Sequence, residues 1–134
     1  MRRGDVNDES LMQEARTAAE ASYSPYSRFR VGAVVVADDG AIYTGCNVEN
    51  AAYGSSICAE ANAISSAAAN GVRRIESVVI ACLDGGECYP CGNCRQIMRE
   101  FAVERVVVQD GEGGITVHEF DEILPNSFGP ESLG

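Results

Sequence analysis

The sequence predicts an α/β fold, with helices covering a sheet that contains a parallel strand pair. Three observations lead there. The runs Val78–Ala81 and Val106–Val108 are almost continuously apolar and β-branched, as strands buried on both faces are. A helix-length segment separates them, the connection a parallel pair needs. The elements as a whole follow one another along the chain in the order α-β-β-α-β-α-β-β-α.

Each element follows from local chemistry. Ser10-Leu-Met-Gln13 has the spacing of a capping box, and the Ala-rich run after it predicts a helix to about Ala21. Ser24-Pro-Tyr-Ser27 breaks it. Arg30–Ala37 is a strand, Asp38-Asp-Gly40 a hairpin turn and Ala41–Val48 the returning strand. Asn50–Ser56 is loop. Cys58–Asn70 is Ala-rich and stops at Gly71, so it is a helix with Cys58 and Glu60 in its first turn. Ile75–Leu83 is a strand. Gly92–Phe101 is a short helix with Cys91 and Cys94 at its start. Arg105–Gln109 and Gly114–His118 are strands around a Gly-rich turn, and Phe120–Leu124 is a helical turn before Pro125. Residues 128–134 are expected to form an extended tail.

A chain of 134 residues suits one domain, 1–134, and 46% hydrophobic residues suffice for a core without staples. The longest apolar stretches are strand-sized, so no membrane span is expected. No apolar run comes after Met1-Arg-Arg-Gly-Asp5, which argues against a secretory leader. Six cysteines in that context read as cytoplasmic thiols available for metal or chemistry. The net charge of −10 disfavours a polynucleotide partner and favours a small molecule. All ten basic residues are arginine, which excludes a Schiff-base lysine and a phosphate-binding P-loop lysine.

The most informative stretch is Cys88-Tyr-Pro-Cys-Gly-Asn-Cys94. Cys91 and Cys94, three apart on one helical turn, can address a single ion. Cys58 opens a second helix. Two helix N-termini aimed at one point carry partial positive charge and free N–H groups, and both favour thiolates. Three cysteines leave the fourth zinc position open, as catalytic zinc sites do. Glu60, two residues after Cys58, stands where a proton shuttle belongs. Cys88 precedes Tyr89-Pro90, an extended pair, and is expected to point elsewhere. Cys46 and Cys82 read as packed thiols. His118 lies in a late strand far from these motifs and reads as structural or surface.

The pattern Cys-x-Glu followed by Pro-Cys-x-x-Cys matches zinc deaminases. The chain resembles the small homotetrameric cytidine deaminases from Tyr23-Ser-Pro-Tyr-Ser-Arg-Phe-Arg-Val-Gly32 through Gly45-Cys-Asn-Val-Glu-Asn-Ala-Ala-Tyr-Gly54. The likeness continues through Ile57-Cys-Ala-Glu60, Pro90-Cys-Gly-Asn-Cys-Arg-Gln96 and Leu124-Pro-Asn-Ser-Phe-Gly-Pro-Glu131. The resemblance implies a three-layer α/β/α sandwich with a five-stranded mixed sheet. It implies one Zn²⁺ per chain on Cys58, Cys91 and Cys94, with Glu60 as general acid/base. Asn47 and Glu49 would hold the ribose hydroxyls, Phe29 would line the nucleoside pocket, and the Ala59 N–H would meet the pyrimidine O2. Tyr53 and Phe128, the latter on a tail of residues 125–134, would complete a neighbouring subunit's pocket in a homotetramer. The implied reaction is deamination of cytidine and 2′-deoxycytidine in pyrimidine salvage.

The chain departs from the family at Ala61, where arginine is frequent. Three thiolates and Zn²⁺ sum to −1, which blunts the ion's power to acidify water. Two helix N-termini of roughly +0.5 each would offset this, with Arg95 a further candidate. The missing arginine also resembles deaminases of blasticidin S. Other readings stay open. A non-catalytic zinc module would need Cys88 as a fourth ligand. A thiol oxidoreductase would work without metal. Asn47 and Glu49 would then serve strand-end turn chemistry, and Phe29 and Phe128 core and tail packing.

Overall fold

The computed structural model describes residues 7–134. Helix α1 spans Asp8–Ala19. Strands β1 (Val31–Ala37) and β2 (Ile42–Cys46) form the first hairpin, closed by Gly40 at φ 91°. A 3-10 turn at Tyr53–Ser55 precedes α2 (Ala59–Ala69), and β3 (Ile75–Cys82) comes next. Then come α3 (Gly92–Glu100), β4 (Arg105–Gln109), β5 (Ile115–Glu119) and α4 (Phe120–Ile123). The single sheet has the order β2-β1-β3-β4-β5. Only β3–β4 is parallel, with Val78 opposite Val106 and Ile80 opposite Val108. Every other pair is antiparallel, so the sheet is mixed.

The strand alternation explains the three layers. Val34, Val36, Val79, Ala81 and Val107 point to one face, against Leu11, Met12 and Ala15 of α1. Ala33, Val35, Val78, Ile80, Val106 and Val108 point to the other, against α2 and α3. The central strands are therefore apolar at consecutive positions because both faces are covered. Two glycines let helices approach. A Cβ on Gly32 would lie 2.0 Å from the Ala15 carbonyl oxygen in α1. A Cβ on Gly45 would lie 2.6 Å from the Ala63 nitrogen in α2. Thus α2, whose N-cap residue is Cys58, rests on β2 with no side chain between at that point.

Several boundaries differ from expectation. Asn7, not Ser10, caps α1; its side chain accepts from the Ser10 N–H at 2.8 Å. Asparagine is as good a cap as serine, and the cap three residues earlier lets Asp8 and Glu9 face the helix's positive end. The helix closes at Ala19 rather than Ala21. Helix α2 ends as expected, with Gly71 at φ 94° and the Val72 N–H bonded to the Ala67 carbonyl. Helix α3 ends in the same hydrogen-bond pattern with Ala102 at φ 56°, a position no glycine announces. The tail is not extended throughout: Pro130–Leu133 forms a 3-10 turn, held to α3 by the Arg99 guanidinium on Glu131 and Ser127.

Candidate metal centre and adjoining cleft

Cys58 and Cys91 occupy equivalent positions. Each is the N-cap residue of a helix, α2 and α3 respectively, and neither side chain caps its own helix. Cys94 lies in the first turn of α3. The three sulfurs fall within 4.8 Å of one another. A tetrahedral zinc with bonds of about 2.3 Å needs its sulfurs about 3.8 Å apart, so the group fits the ion. Among the described residues this is the one cluster of three or more metal-ligating side chains. Cys88 is not in it. It is buried in the core under the sheet, beside Cys82, as its position before Tyr89-Pro90 predicts.

The electrostatics favour a cation at this point. Burial pushes the Cys94 thiol up, and the charges of Glu60, Cys58 and Cys91 push it further. Burial likewise raises Cys58, with a partial offset from a hydrogen bond with Cys94. Burial works against Cys91 too, but the N–H groups of Cys94 and Asn93 and its thiol neighbours bring it below the usual thiol value. Three crowded thiols cannot all ionise alone; a divalent cation removes that conflict. Glu60, in the first turn of α2, is 5% exposed. Burial pushes its carboxyl up, against the pull of its own backbone N–H and the Cys94 thiol.

Cys58 also borders a cleft of about 470 Å³, a size suited to a small organic ligand. Tyr26, Ser27, Asn47, Glu49 and Tyr53 line it with Cys58. Asn47 and Glu49, two apart just beyond β2, share this cleft as their spacing predicts. Both are fixed. The Asn47 Oδ1 accepts from the Val31 N–H (3.0 Å) and the Ser22 hydroxyl (2.5 Å), and its Nδ2 donates to the Phe29 carbonyl (2.9 Å). One Nδ2 hydrogen is left over. The Glu49 Oε1 accepts from the Tyr26 and Ser27 N–H groups at 3.0 and 3.1 Å, and Oε2 accepts from the Ser27 hydroxyl. The Ser27 hydroxyl foremost, against a smaller cost of burial, holds Glu49 below the usual carboxylate range. Arg28 at φ 59° closes this turn, its N–H bonded to the Ser24 carbonyl.

The other expected residues fall differently. Ala59 is the first residue of α2, so its N–H has no partner inside the helix, and the residue is fully buried. Phe29 is partly buried: its side chain packs on the core and against Gly85, and its carbonyl accepts from Asn47 Nδ2. Phe128 is 58% exposed and lies away from this chain's cleft, its carbonyl tied to Gln96 of α3. Tyr53 borders the cleft but is 77% exposed, edge-on to Tyr26. Arg95 does not turn to the thiols. It bonds to the Pro90 and Ile123 carbonyls, bracing the loop before Cys91. His118 is not remote: its Nε2 lies 2.8 Å from the Tyr89 hydroxyl, inside the cysteine motif, and its Nδ1 is 3.1 Å from Glu122. Parallel β3–β4 pairing with β5 at the edge brings them together, which linear spacing conceals. Sequence reasoning does not single out Ser22 and Ser27 as site residues. Their one signal is that they flank the helix-breaking Pro25, where hydroxyls commonly serve local turns.

Comparison with known proteins agrees with this geometry. Residues 5–110 match the family model of the cytidine and deoxycytidylate deaminase zinc-binding region. The chain is similar to the cytidine deaminase of Sporosarcina psychrophila, 39% identical over 127 residues covering 93% of each chain. It is 37% identical to that of Mycobacterium tuberculosis (strain ATCC 25618 / H37Rv) over 131 residues, 96% of this chain and 95% of the other. The crystal structure of cytidine deaminase from Burkholderia pseudomallei superposes with a TM-score of 0.85 at 38% identity, covering 92% of this chain and all of that one. Likeness of this extent, running through the helices that bring the three sulfurs together, shows that the chain belongs to the zinc-dependent cytidine deaminase family.

Proposed function

We propose that this chain hydrolyses cytidine and 2′-deoxycytidine to the corresponding uridine and ammonia, in cytoplasmic pyrimidine salvage. The observation that carries this reading is the buried Glu60 beside three convergent thiols at a cleft bordered by Asn47 and Glu49. Cys58, Cys91 and Cys94 would hold one zinc ion per chain, which when bound supplies a Lewis acid and an activated water nucleophile. Glu60 would take one proton from the attacking water and deliver it to N3 of the base as the C4–O bond forms. It would then take the second proton from the new C4 hydroxyl and pass it to the amine as the C4–N bond breaks, releasing ammonia. Its buried carboxyl, raised above the usual value, is suited to holding that proton between steps. The Ala59 N–H fixes the pyrimidine O2. The spare N–H of Asn47 and the spare lone pair of Glu49 fix the sugar, so that orientation is set before reaction. Phe29 supports this wall from behind by taking a hydrogen bond from Asn47 on its carbonyl.

Tyr53 and Phe128 suit a second role. Both are aromatic and exposed, and Phe128 is fixed on a tail strapped to α3. In a homotetramer of single catalytic domains they would complete a neighbour's cleft. Sedimentation at four chains is expected. Among the described residues no helix is long and apolar enough to cross a membrane. Ala61 favours a second reading, deamination of blasticidin S, which the same assay separates.

Incubation with cytidine, followed by ammonia release or loss of cytidine absorbance, is expected to show turnover that Glu60→Gln abolishes. Unchanged turnover in Glu60→Gln would sink the proton-transfer role. Zinc content near one ion per chain, lost in Cys58→Ala, is expected alongside.

A further inference from the structure

Glu49 borders the cleft, yet most of its acceptor capacity is spent before any ligand arrives. A carboxylate offers about four acceptor positions. The turn at residues 24–28 fills three of them: Tyr26 and Ser27 N–H groups on Oε1, and the Ser27 hydroxyl on Oε2. The Ser27 oxygen is committed as well, because it accepts the Phe29 N–H at 3.0 Å. Its one hydrogen therefore belongs to Glu49. Two of the three bonds are to backbone and survive side-chain substitution. The third, on the oxygen that still has a free lone pair, depends on Ser27 alone.

We propose that Ser27 is the positioning residue of the sugar subsite: its hydroxyl sets the Glu49 carboxylate so that its one remaining lone pair accepts a hydroxyl donor of the substrate's sugar. This rests on the reading that Glu49 faces the sugar. Without the Ser27 hydroxyl the carboxylate is tethered at Oε1 alone, so it can tilt about that atom, and Oε2 must be ordered by each substrate as it binds. The loss then falls on substrates with a sugar hydroxyl to donate, and not on those without one. Ser27 is a specificity determinant acting through Glu49, separate from the proton transfers at the base.

The test compares kcat/KM for cytidine and 2′,3′-dideoxycytidine in wild type, Ser27→Ala, Ser27→Thr and Glu49→Gln, each loaded with zinc. A hydrogen bond to a charged group is worth enough to make the cytidine value fall about tenfold in Ser27→Ala. The dideoxycytidine value should fall much less, so the preference between the two substrates collapses. The loss should appear in KM for cytidine, and Ser27→Thr, which keeps a hydroxyl, should restore the preference. An equal fall for both substrates in Ser27→Ala, or no fall for either, would overturn the proposal and leave Ser27 a turn residue. The Glu49→Gln arm isolates the underlying reading. If the preference survives there, Glu49 does not face the sugar and that reading fails too. If it collapses there but survives in Ser27→Ala, only the positioning role fails.

Discussion

Replacing Gly45 with alanine would place a methyl group between β2 and α2, where the backbones touch. The added carbon would sit 2.6 Å from the Ala63 nitrogen and 2.8 Å from the Ala59 carbonyl oxygen, short of ordinary 3.4 Å contact by 0.8 and 0.6 Å. Both obstacles are helix backbone, which cannot rotate away, so α2 must retreat by most of that distance. Cys58 leads α2 and Glu60 lies in its first turn, whereas Cys91 and Cys94 are on α3. The retreat therefore shears one sulfur away from the other two. Metal–ligand distances tolerate about 0.2 Å, so zinc affinity should drop sharply. A misplacement near 1 Å can cost about 100-fold in rate. Overpacking should also destabilise the fold by about 1–3 kcal/mol.

Gly32→Ala is the control. It creates a worse clash, 2.0 Å from the Ala15 carbonyl, but on α1 at the opposite face of the sheet. It should cost stability without distorting the sulfur triangle. The assay is zinc affinity by chelator competition, with the thiolate absorption of the cobalt-substituted protein as a geometric readout. If Gly45→Ala binds zinc and turns over like wild type while losing stability as Gly32→Ala does, contact at Gly45 does not set the metal site.

Asn47→Ala removes three hydrogen bonds and leaves the Val31 N–H and the Phe29 carbonyl without these partners. At about 1 kcal/mol each, urea unfolding should show a loss of about 3 kcal/mol in addition to weaker substrate binding; a loss under about 0.5 kcal/mol would show the network carries no stability. Asp84 is held at about 2 by the Arg30 guanidinium and backbone N–H. Its folded value is depressed, so its contribution is present above its unfolded value of about 3.9 and is lost as pH falls toward 2. The stability difference between wild type and Asp84→Asn should therefore be constant above about pH 5 and shrink below about pH 4. Ala61→Arg should change turnover by less than about tenfold, because two helix N-termini of roughly +0.5 each already oppose the excess thiolate charge. A gain of several orders of magnitude in the pH–rate profile would show that the native site is uncompensated.

Much of the site was legible because its chemistry is local. Cys58, Cys91 and Cys94 each sit at a helix start, and such starts are marked by the residues just C-terminal to them: an Ala-rich run to Gly71, and the stretch Gly92–Phe101. Asn47 and Glu49 were legible for a similar reason, since a step of two residues past a strand restores the same side. The positions that resisted depend on contacts between distant segments. Arg95 adjoins Cys94 yet spends its charge on carbonyls at Pro90 and Ile123. Phe29 belongs to the same block as Ser27 yet turns into the core, because the strand after it starts at Val31 and alternation sends that ring inward.

The sequence by itself determined the element order and the both-faces burial of the central strands, which follow from periodicity and residue type, and its motifs and their family resemblance pointed to Cys58, Cys91 and Cys94 as candidate metal ligands. Tertiary structure alone decided the distances. Three sulfurs converge because α2 and α3 pack on one face of the sheet, and α2 does so through backbone contact at Gly45. His118 meets Tyr89, and Ser27 meets Glu49, only after segments 29 and 22 residues apart have been set side by side. Those meetings are long-range, and a pattern of local preferences carries no record of them.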